Sequence, residues 1–267
     1  MTRVYMDHNA TTPLAEAVAD RMSAVLRDEF GNPSSVHHFG QRAKAAVDDA
    51  RSAVADLIGA DPSEVVFTSS GTESDNFAIR GVAEALEPTG RRHLVTTTIE
   101  HEAVINTFKA LARRGWTTTL TNVDQSGIVS PDAAAAHLTP QTALVTVMHA
   151  NNEIGTVQPV ADIARLAKAR GVLVHTDAVQ SVGKIPVDVK ALGVDLLSLS
   201  VPPLVNTTSP ASPPINAATA LRASSIAALA RCPKWWTLDG LPNSSRSAAA
   251  IRSATSGATG VVALWSR

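Results

Sequence analysis

Short β-branched runs separated by stretches of helical periodicity recur from residue 65 to residue 199, and then the pattern stops. Val65-Val66-Phe67, Leu94-Val95-Thr96-Thr97, Leu144-Val145-Thr146-Val147-Met148, Val172-Leu173-Val174-His175 and Leu196-Leu197-Ser198-Leu199 read as buried strands. Between them, Val104, Thr107, Phe108 and Leu111 share one helical face, and Val160, Ile163, Ala164 and Ala167 share another. Pro159 is placed as a first-turn proline of the latter helix and Gly171 as its C-terminal cap. Two further helices, about 14–28 and 40–58, precede the sheet and are joined by the turn-rich loop Gly31-Asn32-Pro33-Ser34-Ser35. This alternation predicts an α/β domain with a mostly parallel sheet flanked by helices. In such sheets ligands sit at the carboxyl ends of the strands.

Composition changes where the periodicity stops. Residues 1–200 carry 23 of the 24 acidic and 17 of the 23 basic residues, a balance of −6. Residues 201–267 set six Lys or Arg against Asp239 alone, a balance of +5, and are rich in Ala, Ser and Pro. The chain therefore divides into an ordered part, 1–200, and an anomalous tail, 201–267. A basic, disordered tail and an out-of-frame translation are the two origins such a composition admits. The near-zero overall charge of −1 argues against nucleic acid or anionic lipid as partners. No apolar run reaches the roughly 20 residues of a membrane helix. Without a signal-peptide layout, and with Cys232 as the one cysteine, the expectation is a cytoplasmic protein.

Polar residues cluster at the predicted strand ends. Thr68-Ser69-Ser70-Gly71-Thr72-Glu73 follows one strand and opens a helix, where small residues leave backbone N–H groups free and the helix dipole favours an anion. That makes either a phosphate cradle or an ordinary Ser/Thr helix cap. Asp177, just past Val172–His175, is either a strand-end cap or a counter-ion that keeps a pyridine nitrogen protonated. Gln180 lies three residues on. His101, after the strand near 94–97, is structural or else stacks on a flat ring and moves protons. Asn151-Asn152-Glu153 ends another strand, where side-chain amides can orient a ring substituent. No metal site is assigned. Taken together, these features describe a pyridoxal-phosphate site.

Residues 1–200 resemble the N-terminal half of a cysteine desulfurase of the NifS/IscS type, in the class V aminotransferase family of fold-type I enzymes. The matching segments are Tyr5–Pro13, Gly31–His37, Ser69–Asn76, Glu100-His101, Met148–Gly155 and Asp177–Lys184, in family order. The resemblance implies pyridoxal 5'-phosphate as cofactor, L-cysteine as substrate, and a homodimer passing persulfide sulfur to an acceptor for iron–sulfur cluster or thio-cofactor assembly. It implies that Gly71, Thr72 and Ser200 hold the phosphate. His101 would stack over the ring and serve in acid–base steps, Asn152 and Gln180 would contact its hydroxyl side, and Asp177 would pair with its nitrogen. The family's serine at position 200 begins a Ser-x-His-Lys motif carrying the Schiff-base lysine; here the next residues are Val201, Pro202 and Pro203. The resemblance thus implies a desulfurase lineage and a chain that is inactive as written, with cofactor held non-covalently at best. The alternatives are a non-catalytic, truncated remnant that retains cofactor binding or dimerisation, and another class V transferase or lyase. Neither Lys184 nor Lys234 is expected to replace the lysine, and Cys232 is not expected to accept sulfur.

Overall fold

The computed structural model describes residues 3–200. Five strands form one wholly parallel sheet in the order β2-β1-β3-β4-β5. They are β1 (His93–Thr97), β2 (Thr117–Thr121), β3 (Thr142–Thr146), β4 (Leu173–Asp177) and β5 (Leu196–Ser198). Seven helices surround them: α1 (Glu16–Asp28), α2 (His38–Ile58), α3 (Gly71–Leu86), α4 (Glu102–Ala112), α5 (Pro131–Ala136), α6 (Val160–Lys168) and α7 (Val189–Leu192).

The doubly apolar strands have a simple cause. Successive side chains of a strand point to opposite faces, so a strand covered on both sides needs an apolar residue at every position. Leu94, Leu144, Leu173 and Leu196 pack on one face against Ile79, Val82 and Leu86 of α3 and Val104, Phe108 and Leu111 of α4. Their sequence neighbours Val95, Val145, Val174 and Leu197 pack on the other face, against Val54 and Ile58 of α2, Ala134 of α5 and Ile163, Ala164 and Ala167 of α6. The edge strand β2, Thr117-Thr118-Thr119-Leu120-Thr121, buries only Thr121 and lacks this signature, so apolar runs did not point to it.

Three local expectations change. Val65-Val66-Phe67 is buried but joins no strand ladder among the described residues. Its backbone is engaged by a side chain instead: the Arg51 guanidinium donates to the Val65 carbonyl and lies 4.9 Å over the Phe67 ring. Pro159 is the N-cap of α6, one residue outside the helix. Gly171, at φ +68°, follows the helix end instead of capping it; Ala169 is the cap, and Gly171 turns the chain into β4. The anomalous tail, with Cys232 and Lys234, lies outside the described residues.

A cavity at the strand ends joins an anion cradle to a buried carboxyl

The carboxyl ends of β1, β3, β4 and β5 and the first turn of α3 enclose a cavity of about 730 Å³. All seven residues singled out from sequence, Gly71, Thr72, His101, Asn152, Asp177, Gln180 and Ser200, line it. Residues 6–10, Ser70, Asp75, Met148, Glu153 and Val179 complete its walls.

At one end is the start of α3. Ser70 is the N-cap, and its hydroxyl accepts the Glu73 N–H at 3.2 Å, while its carbonyl takes the Ser74 N–H at 3.0 Å. Glu73 reaches back to the Ser69 N–H. The N–H groups of Gly71 and Thr72 are then the orphan donors of the first turn, with the positive end of the helix dipole behind them. Of the two readings of this segment the structure shows the cap, at Ser70, and the Gly71 and Thr72 N–H groups face the cavity without a protein acceptor among the described residues. Gly71 is glycine for a steric reason. A Cβ there would lie 2.8 Å from Cγ2 of Val179, in the loop that follows Asp177.

At the other end is Asp177, the last residue of β4. It accepts the Val179 N–H at 2.9 Å, and only 5 % of its surface is exposed. Burial pushes its carboxyl above the usual range, opposed by that N–H and by His101. No Lys or Arg is among the residues lining the cavity. A buried carboxyl at the end of a ligand-sized cavity, lacking a cationic side chain, suits a cation brought by the ligand.

Between the two ends, His101 is the N-cap of α4, where its Nδ1 accepts the Ala103 N–H at 3.2 Å. That leaves Nε2 as the nitrogen able to carry a proton in the neutral ring. Asn151, next to the candidate Asn152, is committed to the fold. Its amide donates to the Ile99 carbonyl at 3.0 Å, and its Oδ1 accepts from the N–H groups of Glu153 and Ile154. Asn152 is left at the cavity wall, where its carbonyl accepts from Asn9 at 2.8 Å. Asn9 also accepts from Gln180, at 3.3 Å through its backbone, and from Lys184, at 3.1 Å through its side chain. Lys184 donates to Gln180 at 2.6 Å, and burial lowers its pKa.

Two buried acids near the cavity were given no role from the sequence. Asp75, inside the quoted Ser69–Asn76 segment, lines the cavity with only 1 % of its surface exposed. Glu100, whose Oε1 accepts from Thr97 at 2.7 Å and from the Met148 N–H at 3.0 Å, is buried beside it. Their helical and loop positions carry no periodic signal. The one available clue was an acid placed where a buried face requires an apolar residue.

The cavity thus brings together the orphan N–H donors of a helix N-terminus, a buried acid, an imidazole and two amides. Residues 4–201 match the family profile described as Aminotransferase class-V. The chain is 48% identical over 197 residues to the cysteine desulfurase IscS of Dictyoglomus turgidum (strain DSM 6724 / Z-1310), covering 74% of this chain and 50% of that protein. It is 48% identical over 200 residues to the putative cysteine desulfurase IscS 1 of Bacillus subtilis (strain 168), with shares of 75% and 52%. The chain thus spans about half the length of the curated relatives it matches. Among solved structures, SspA in complex with cysteine superposes with a TM-score of 0.74 at 37% identity, over 85% of this chain and 60% of that one. A NifS-like protein gives 0.74 at 35% identity, with shares of 83% and 69%. The parallel sheet, its helical flanks and these likenesses make the architecture fold-type I, and the chain belongs to the aminotransferase class V family.

Proposed function

We propose that residues 3–200 form the cofactor-binding part of a cysteine desulfurase-type site that takes pyridoxal 5'-phosphate. The observation that carries this is the pairing, in one cavity, of orphan helix N–H donors with a buried carboxyl, with no Lys or Arg among the lining residues. Gly71 and Thr72 donate to the phosphate, joined by the Ser200 hydroxyl. Asp177 holds a proton at the ring nitrogen, becoming charged as it does so. Asn152 and Gln180 orient the ring's hydroxyl side. His101 covers one ring face and holds or moves a proton at Nε2. The bound group supplies an electron-withdrawing ring, and the chain supplies orientation and charge.

L-cysteine is the proposed substrate class, by the names of the relatives and the cysteine complex of SspA. In the family reaction its sulfur leaves as a persulfide and alanine remains, feeding iron–sulfur or thio-cofactor assembly. Val201, Pro202 and Pro203 follow Ser200 with no lysine among them, which favours non-covalent cofactor and no turnover for the chain as written. Exposed apolar side chains of the N-terminal segment, α1, the loop that follows it and α2, among them Met6, Leu26, Phe30, Val36 and Phe39, support a homodimer. No helix of the described residues is long and apolar enough to cross a membrane, which is compatible with the cytoplasmic placement proposed here.

The test is to load the 267-residue chain with pyridoxal phosphate, record its visible spectrum, reduce with borohydride and weigh the denatured protein. Saturable binding with unchanged mass is expected, together with no alanine from L-cysteine above a cofactor-only control. Alanine release above that control would sink the non-covalent reading, and absence of saturable binding would sink the cofactor reading.

A further inference from the structure

Asp75 has no part in the site as described, yet its surroundings are unusual. It lies three residues beyond Thr72 on α3 and faces the same cavity as Asp177. Its Oδ1 is buried with no hydrogen-bond partner and lies 3.8 Å from Nε2 of His175, itself fully buried. Burial and the neighbouring Asp177 raise the Asp75 carboxyl well above its usual range, and the Ser198 hydroxyl beside it works in the opposite direction. Ser198 also receives the Ser74 hydroxyl at 2.9 Å and contacts His175 Nε2 at 3.0 Å. Ser198 is the register partner of Asp177 across β4 and β5. Ser74 of α3 therefore bonds one serine of β5, and Asp75, the next residue of the helix, lies beside that serine and against His175, next to the Asp177 register position. A carboxyl left part-satisfied in a core costs stability that an apolar residue would not. Packing alone does not account for it.

The geometry points to a positioning role. The Gly71 and Thr72 donors ride on α3, and Asp177 sits at the end of β4; a rigid ligand with a phosphate and a ring nitrogen must meet both. We propose that Asp75, through Ser198, fixes the span between the α3 anion donors and the Asp177 carboxyl, and so makes the site selective for a two-ended ligand. Gly71 pressed against Val179 is the second point that holds this span. The proposal rests on the pyridoxal-phosphate reading of the same cavity.

Binding of pyridoxal phosphate, pyridoxal and inorganic phosphate to the full chain tests it, with thermal unfolding followed in parallel. Asp75→Ala is expected to weaken pyridoxal phosphate by roughly tenfold or more while changing each one-ended probe by no more than about twofold. Asp75→Asn keeps an acceptor for Ser198 and is expected to restore binding to within about threefold of the parent. Should Asp75→Ala fail to fold, Ser198→Ala, which removes one oxygen, is expected to give the same ligand-selective loss. Equal weakening of all three probes, or none, overturns the positioning role while the cofactor reading stands. If the unaltered chain binds no pyridoxal phosphate, both fall.

Discussion

Burial pushes the carboxyl groups of Asp75, Glu100 and Asp177 upward, and each of the first two also feels the charge of Asp177. Glu100 reaches about 8, with Thr97 and the Met148 N–H working in the opposite direction. Because its folded value lies above the unfolded 4.5, its contribution is fully present below about 4.5 and is lost as pH climbs through 8. Glu100→Gln keeps an acceptor for Thr97 and Met148 without an ionisable proton. Urea unfolding between pH 5.5 and 9 should show the parent losing roughly 1–3 kcal/mol more than the variant over that range. A parallel decline would show that Glu100 does not hold a proton in the fold. His175 is shifted the other way, to about 3, so it stays neutral throughout this range. For Asp177, conversion to Asn removes the charge without changing shape. Its expected effect is a loss of pyridoxal phosphate affinity of about tenfold or more, with inorganic phosphate unchanged, read by fluorescence titration.

At the scale of elements, the first turn of α3 concentrates several demands. Ser70→Ala removes the cap and should cost about 1 kcal/mol in unfolding experiments. Gly71→Ala drives a methyl into the stiff, branched Val179, so about 1–3 kcal/mol and a weaker phosphate site are expected. Adding Val179→Ala should recover most of that loss, a pairing that calorimetry can verify. This turn was legible in sequence because its chemistry is local: small residues after an apolar run, followed by a helical pattern. The parallel strands β1, β3, β4 and β5 were legible for the same reason, since each carries its burial on its own surface. β2 was not, because an exposed edge strand of threonines has no alternation to betray it. The segment 65–67 misled in the opposite sense: burial and β-branching were real, but the ladder that makes a strand depends on distant chain. Asp75 and Glu100 went unassigned for that reason too. Their surroundings include groups about 50 to 120 residues away, Met148 beside Glu100 and Ser198 beside Asp75.

Across the whole molecule, the chain runs outward from β1 to β2 and then crosses back to β3. Strand order reverses between β1 and β3, and crevices open at the carboxyl ends where it does. His101 follows β1 and Met148 follows β3, so the cavity lies at this reversal and extends to Asp177 and Ser200. The two faces of the sheet hold separate cores, and loss from either should unfold the domain. Phe108→Ala, deep in the α3–α4 face, is expected to cost about 3–5 kcal/mol, whereas Phe39→Ala, half exposed on α2, should change chemical stability little at low protein concentration. Comparing denaturation midpoints of the two variants decides the point.

The tie between Asn9 and Lys184 spans 175 positions of chain. At typical ribosomal speeds of about 5–20 residues per second, residue 9 waits roughly ten to thirty seconds for its partner to be made. Strands β1 to β3 and the helices within residues 16–168 have their local contacts available during that interval, while the bonds of Asn9 to Gln180 and Lys184 do not. The side of the cavity walled by residue 9 against Gln180 and Lys184 is therefore among the last parts of this fold to close during synthesis.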